Sequence, residues 1–159
     1  MSRLRAVLGS AAFVLFGGPT IVAGLVPWFL TRWEADDAPT ALRILGAALI
    51  LAGGGLVLET TARFALQGRG TPAPFAAPER FVVRGSYRVV RNPMYVGVLA
   101  LIVGQALLLG REVLLVWAGV AAILFQLFVV FHEEPELGRR FGSEYRDYRR
   151  RVGRWFPRR

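Results

Sequence analysis

The sequence predicts an all-α integral membrane protein with four transmembrane helices and a C-terminal amphipathic helix at the membrane interface. Of its 159 residues, 54% are apolar and the mean hydropathy is +0.43, which is more apolar than an average soluble domain. Four apolar runs approach the roughly 20 residues that cross a bilayer as a helix. All 20 Lys/Arg residues are arginine. Most of them lie before the first run, between the second and third runs, or after the fourth run.

The four apolar runs differ in length. They are Ala6–Leu30, Leu42–Leu58, Tyr95–Leu109 and Val113–Phe131. The first run is uncharged and longer than the 7–15 apolar residues of a signal peptide, so we interpret it as a transmembrane helix. The third run is the shortest and needs flanking residues to span a bilayer.

The arginines predict the orientation of these helices. Seventeen of the 20 lie in the N-terminal segment, in the stretch Arg63–Arg91 or in the C-terminal tail. Short arginine-rich segments stay in the cytoplasm, and four spans place all three segments on that side. We therefore expect both termini in the cytoplasm. Contact with anionic headgroups accounts for the net charge of +9, so we expect no nucleic-acid partner.

The same pattern divides one membrane domain, residues 1–159, into four parts. Residues 1–66 contain two transmembrane helices, residues 67–93 a cytoplasmic Gly/Pro/Arg loop, residues 94–131 a transmembrane hairpin, and residues 132–159 a cytoplasmic amphipathic helix with a basic tail.

Composition excludes several kinds of chemistry. The chain has no cysteine, which excludes disulfides, thiolate metal sites and a cysteine nucleophile. It has no lysine for a Schiff base or a phosphate-binding loop. Its one histidine, His132, precedes Glu133 and Glu134, but consecutive helical residues point in different directions, so we expect no metal site.

A first polar segment leads into the third apolar run. Asn92 and Pro93 predict a helix start, with Asn92 as the cap and Pro93 at the first helical position. The free N–H groups of such a start suit a carboxylate or phosphate. The alternative is that the arginines and tyrosines around it only anchor the chain at the membrane surface.

A second polar segment follows the fourth run. Leu137, Phe141, Tyr145, Tyr148 and Val152 are spaced by 4, 4, 3 and 4 residues, which predicts one face of an amphipathic helix in the headgroup plane. The preceding carboxylates, Glu133 and Glu134, are unfavourable beside anionic lipids unless they face arginines or a cationic ligand.

A short turn is expected to bring the two polar segments together. Gly110, Arg111 and Glu112 are the only residues between the third and fourth runs, so these runs must form an antiparallel hairpin. The start of the third then lies beside the end of the fourth. Arginines, tyrosines and two carboxylates converge there, which predicts a binding site at the cytoplasmic end.

The two segments resemble the isoprenylcysteine carboxyl methyltransferase family, which includes bacterial phospholipid methyltransferases. The motifs are Gly85-Ser86-Tyr87-Arg88 with Arg91-Asn92-Pro93-Met94-Tyr95-Val96-Gly97, and Glu133-Glu134-x-x-Leu137-x-x-x-Phe141-Gly142-x-x-Tyr145-x-x-Tyr148. The likeness covers about the last 90 residues, including the ending Arg154-Trp155-Phe156-Pro157-Arg158. Asn92 replaces the family histidine and cannot titrate near neutral pH, so we expect no acid or base role there.

The resemblance implies a bacterial inner-membrane enzyme that transfers a methyl group from S-adenosyl-L-methionine to a lipophilic acceptor. It implies catalytic roles for Glu133 and Arg91, and contacts of Arg139 and Arg140, with Arg88 as a third candidate, to an anionic acceptor. The implied cofactor contacts are Tyr87, Arg88, Arg91, Asn92, Pro93, Tyr95, Gly97, Glu133, Glu134, Leu137, Tyr145 and Tyr148.

Two other functions remain open at this stage. Membrane sterol and enone reductases resemble the same hairpin and bind a nicotinamide cofactor, but Val98 follows Gly97 where they have glutamate. A non-catalytic lipid-binding protein would also keep the scaffold. Two positions are open for Glu59: a cavity for the acceptor, or the cytoplasmic interface beside Arg63.

Overall fold

The computed structural model describes residues 17–63 and 83–158, and all regular secondary structure in them is helical. This confirms the all-α prediction. The main helices are α1 (Gly18–Thr31), α2 (Thr40–Arg63), α3 (Pro93–Leu109) and α4 (Val113–Arg151), with a short 3₁₀ helix at Gly85–Arg88. The N-terminal part of the first predicted span and most of the predicted 67–93 loop lie outside the described residues.

Two of these helices, α2 and α4, are long and apolar enough to cross a membrane. The helices α1 and α3 are apolar but shorter. Large apolar side chains cover the outside of the bundle. Phe29 is 71% exposed, Leu51 77% and Phe131 76%, and many exposed apolar side chains on one surface are typical of a membrane or interaction surface.

Glycines let α2 and α3 approach each other closely. A Cβ atom added at Gly53 would lie 2.6 Å from the carbonyl oxygen of Gly97, and one added at Gly46 would lie 2.6 Å from that of Gly104. On each helix the two glycines are seven residues apart, so both contacts lie on one face. We call this line of contact the glycine seam. The pairing order also makes the helices antiparallel, so the end of α2 lies beside the start of α3.

Side chains from α3 and α4 hold α1 at a local irregularity. Pro27 cannot donate the hydrogen bond that the Ala23 carbonyl would accept in an α-helix, and residues Ile21–Leu25 form a π-turn. Gln105 donates from Nε2 to Ala23 O at 2.7 Å, and Trp117 donates from Nε1 to the adjacent Val22 O at 2.9 Å. These bonds satisfy backbone groups that lipid could not.

The turn between α3 and α4 has the predicted position. Gly110 has a positive φ of 68° and ends α3. Arg111 pairs with Asp36 at 2.8 Å, and the Asp36 amide donates to Leu109 O at 2.8 Å. The loop before α2 is thus fixed to this turn. At the other end of the hairpin, the start of α3 lies beside the C-terminal part of α4.

The helix of the fourth span extends beyond residue 131, where the prediction ended it, and a kink at Gly142 separates it from the last C-terminal turns. The π-turn Val129–Glu133 carries α4 past its apolar part, and the backbone departs from helical geometry only at Gly142 (φ 51°, ψ −116°). The amphipathic face packs on protein: Tyr145, Tyr148 and Val152 are buried with Leu137, Phe141 and Val83.

We expect Gly53→Ala to lower the thermal stability of the detergent-purified protein. The added methyl group would push α2 and α3 apart, at a cost of about 1–3 kcal/mol. The control is Gly55→Ala on the same helix, where a Cβ meets nothing within 4 Å. Because alanine favours helix, that control should be neutral or slightly stabilising. Equal unfolding midpoints for the two variants would contradict the glycine seam.

Candidate functional site

The candidate site lies where α3 begins and the apolar part of α4 ends. Tyr95 donates from its hydroxyl to Glu133 Oε1 at 2.5 Å, and Arg91 Nη1 lies 2.7 Å from Glu134 Oε1. Consecutive residues of an α-helix diverge, but Glu133 ends the π-turn, and both carboxylates contact the α3 side. Such π-turns are frequent at functional sites.

Glu134 is the centre of an ion-pair network. Its side chain is only 8% exposed. Arg154 contacts it with two nitrogens, Nε to Oε1 at 2.8 Å and Nη2 to Oε2 at 3.0 Å, while Arg149 lies at 3.4 Å. The hydrogen bond to Glu134 raises the pKa of Arg154 above its ordinary value. With Arg91, three guanidinium groups meet one carboxylate, which leaves an excess of positive charge.

Arg91 has a donor without a partner. Its side chain is 11% exposed, and among residues 17–63 and 83–158 its buried Nε finds no hydrogen-bond acceptor. Buried donors are nearly always paired in folded proteins, so this one calls for an ordered water or a ligand atom as its acceptor. Its backbone amide is paired and donates to Gly153 O at 2.8 Å.

Aromatic rings and an amide adjoin the Tyr95–Glu133 pair. The Tyr95 ring lies 4.5 Å from that of Phe125 and 6.3 Å from that of Trp155, measured between centroids. Trp155 donates from Nε1 to Gln126 Oε1 at 2.7 Å. The rings of Phe125 and Trp155 therefore lie next to the Tyr95–Glu133 pair, on the side of the apolar part of α4.

Asn92 is the N-cap residue of α3, which begins at Pro93, as predicted, but the Asn92 side chain does not make the capping hydrogen bond. Its Nδ2 donates instead to Arg154 O at 3.3 Å, because the C-terminal segment runs beside this residue. Pro93 itself is buried.

Four of the predicted cofactor residues belong to a packed cluster behind the network. Tyr145 and Tyr148 are 3% and 4% exposed and pack with Leu137, and the Tyr148 hydroxyl donates to Tyr87 O at 2.6 Å. Burial, followed by the charge of Glu133, raises the pKa of Tyr87, which stays neutral. This packing holds α4 against the segment before α3, and a direct cofactor contact of these side chains stays a prediction.

The structure gives the remaining predicted residues other contacts. Gly97 contacts Gly53 of α2 across the glycine seam. Arg88 is exposed. Arg139 is 77% exposed and pairs with Glu136 at 2.6 Å, while the Arg140 guanidinium lies 5.9 Å from the centroid of the Phe141 ring. Arg88, Arg139 and Arg140 make none of the ion pairs to Glu134.

Glu59 and His132 also have defined surroundings. Glu59 Oε1 pairs with Arg63 one turn later, as in the interface alternative, whereas its buried Oε2 has no partner among the described residues. His132 is exposed and stacks on Phe128, with centroids 4.9 Å apart. In the part of the chain that the structure describes, no three His, Asp or Glu side chains form a metal-binding group.

Sequence reasoning missed five residues of the site: Phe125, Gln126, Arg149, Arg154 and Trp155. Arg154 and Trp155 belong to the C-terminal stretch that carried the resemblance, which was the available signal. Nothing in the spacing of Arg149 separates it from its arginine neighbours. Gln126 stood out only as an amide within an apolar run, and such groups inside a membrane usually have a partner.

Comparison with known protein families identifies the class of protein to which this chain belongs. The sequence model of the phospholipid methyltransferase family matches residues 41–144, about two thirds of the chain. The chain therefore belongs to this family, which is part of the isoprenylcysteine carboxyl methyltransferase-like group of membrane methyltransferases. The resemblance read from the two motifs is thereby confirmed.

One relative and one absence complete the comparison with known proteins. The chain is 36% identical to an uncharacterized protein of Haemophilus influenzae over 64 residues, which are 39% of this chain and 98% of that protein. No solved structure matches the chain.

We expect Glu134→Gln to destabilise the protein by about 3–5 kcal/mol, because it leaves buried Arg91 without its counter-charge. The matched control is Glu136→Gln, two residues further along α4. Glu136 is 48% exposed and pairs only with exposed Arg139, so its loss should cost about 0–1 kcal/mol. Thermal unfolding of the two variants in detergent measures the difference. Equal unfolding midpoints would contradict a central role of Glu134 in the ion-pair network.

Proposed function

We propose that this protein is an S-adenosyl-L-methionine-dependent methyltransferase that acts on a lipophilic acceptor within the membrane. One observation carries the proposal. Arg91 and Glu134 lie 43 residues apart, within the region that matches the family, and they pair at 2.7 Å where α3 begins and the apolar part of α4 ends.

The residues at this position fit the cofactor. S-adenosyl-L-methionine carries a carboxylate, an ammonium group and a sulfonium. The unpaired Nε of Arg91 and the excess positive charge around Glu134 suit the carboxylate. Glu133 would accept from the ammonium or a ribose hydroxyl, and the ring of Tyr95 would lie near the sulfonium, where aromatic faces favour cations. When bound, the cofactor supplies a methyl group on a positively charged sulfur.

The side chains of this chain would bind, orient and exclude water. Arg91 would hold the carboxylate, and Glu133 keeps the hydroxyl of Tyr95 in one orientation through a 2.5 Å hydrogen bond. Phe125 and Trp155 would keep water from the reacting atoms. Transfer of a methyl group from a sulfonium to a nucleophilic atom of the acceptor breaks the sulfur–methyl bond and leaves a neutral thioether, so it gains more from orientation and a dry site than from a strong base. The presence of Asn92 instead of a histidine is compatible with such a reaction.

The acceptor is proposed to be a lipid, such as an isoprenylcysteine carboxylate or a phospholipid, that enters from the bilayer while the cofactor enters from the cytoplasm. Exposed apolar side chains on α1, α2 and α4 support contact with lipid. The exposed Arg88, Arg139 and Arg140 are proposed to contact an anionic headgroup at the surface.

The proposed topology has four membrane-crossing helices with both termini in the cytoplasm of a bacterial cell. Two features support it: α2 and α3 are antiparallel, and a three-residue turn joins α3 to α4. Arg63, Arg91 and Arg149 then lie at the same end of the bundle. Residues flanking α1 and α3 would extend these shorter helices across the bilayer.

We expect isothermal titration calorimetry of the detergent-purified protein to detect S-adenosyl-L-methionine and not NADPH. Arg91→Ala should weaken the cofactor by about 1–3 kcal/mol, the cost of losing a charged hydrogen-bond partner. Arg146→Ala, at an exposed position of α4, is the matched control and should bind like wild type. Binding of NADPH alone would indicate a reductase, and binding of neither compound would indicate an accessory protein.

The natural absence of cysteine makes the topology directly testable. Single cysteines at Ser86 and Ser143 should react with a membrane-impermeant maleimide only from the cytoplasmic face, and a cysteine at Thr40 only from the opposite face. Labelling of Ser86→Cys and Ser143→Cys from different faces would contradict four spans.

A further inference from the structure

The segment after α4 turns back onto the start of α3. We call residues 152–155 the C-terminal strap. The Arg91 amide donates to Gly153 O at 2.8 Å, and Val90 and Gly153 form an isolated parallel bridge. Asn92 donates to Arg154 O at 3.3 Å. These backbone contacts fix the strap to the residues that directly precede α3.

The strap is also fixed to α4. The indole of Trp155 donates to Gln126 Oε1 at 2.7 Å, within the apolar part of this helix. An amide there is costly unless it is paired, so the bond is difficult to break. Arg154 therefore lies between two attachment points, Gly153 on one side and Trp155 on the other, and its backbone has little freedom.

The side chain of Arg154 uses this fixed position to hold a carboxylate. Nε and Nη2 contact separate oxygens of Glu134, at 2.8 and 3.0 Å, and such two-point contact sets the plane of the carboxylate. Glu134 Oε1 in turn contacts Arg91 Nη1 at 2.7 Å. The orientation of Arg91, including its unpaired Nε, thus depends on Arg154 through Glu134.

We infer that Arg154 is a positioning residue for the cofactor site. The strap holds Arg154 against Glu134, and Glu134 in turn orients Arg91. The family match ends at residue 144, so this contribution comes from residues beyond the matched region. The role in cofactor binding rests on the proposed function. The effect of the strap on Arg91 does not, and the two are measured separately.

The test compares Arg154→Gln and Arg154→Lys with the control Arg158→Gln. Among the residues that the structure describes, the Arg158 side chain donates only to the exposed backbone oxygens of Arg149 and Arg150. We expect Arg154→Gln to weaken S-adenosyl-L-methionine by about tenfold, as loss of a charged hydrogen bond does. Arg154→Lys keeps the charge without the fork, and its effect should be intermediate. The control should bind like wild type.

A double-mutant cycle separates positioning from general stability. In the Arg91→Ala background, Arg154→Gln should cause no further loss of affinity, because Arg154 acts through Arg91. Gln126→Leu, an apolar replacement in an apolar helix, should weaken the cofactor in the same direction by loosening Trp155. If the double variant instead loses affinity by the product of the two single-variant factors, the inference is overturned.

Hydrogen exchange of the protein without cofactor provides the independent readout. Arg154→Gln should speed exchange of the Arg91 amide and leave that of α2 unchanged. If wild type does not bind S-adenosyl-L-methionine, the proposed function fails, while the exchange result still judges the strap. Unchanged exchange at Arg91 together with unchanged affinity would overturn the inference alone.

Discussion

The buried carboxylate of Glu134 connects the parts of the chain that form the site. It binds Arg91 before α3, Arg149 in the last turns of α4 and Arg154 in the strap. A single buried charge with three partners is favourable only when all are held in place, since removal of any counter-charge is costly. The geometry of the candidate site is therefore also a condition for folding at this end of the bundle.

The helices supply that geometry through different kinds of contact. Glycines bring α2 against α3 without side chains between them, and the Gly110 turn sets α4 beside α3. The π-turn in α4 then directs both carboxylates toward the start of α3, where Glu133 contacts Tyr95 and Glu134 contacts Arg91. The first helix is held by hydrogen bonds from Gln105 and Trp117 to its own irregular backbone, which suits a lipid surrounding.

Much of this arrangement could be predicted from the sequence because it depends on local chemistry. Hydropathy indicates the helical class, and turn residues indicate the start of α3 at Pro93 and the turn at Gly110. The short connection between α3 and α4 indicates that Arg91 lies near Glu134. The capping hydrogen bond of Asn92 was wrongly predicted because the strap competes for its side chain, and Arg154 was missed because its partner depends on tertiary structure. The extension of α4 beyond Phe131 to the kink at Gly142 was not predicted, because the change from apolar to polar residues was interpreted as the end of a helix.

The glycine seam has a consequence for how a lipid could reach the site. One contact between helices allows a pivot, whereas two contacts seven residues apart, about 10 Å along the axis, fix both crossing angle and rotation. Backbone atoms meet directly at both points, so α2 and α3 form a rigid wall. For the proposed lipophilic acceptor, a passage would therefore have to open along α1 or α4.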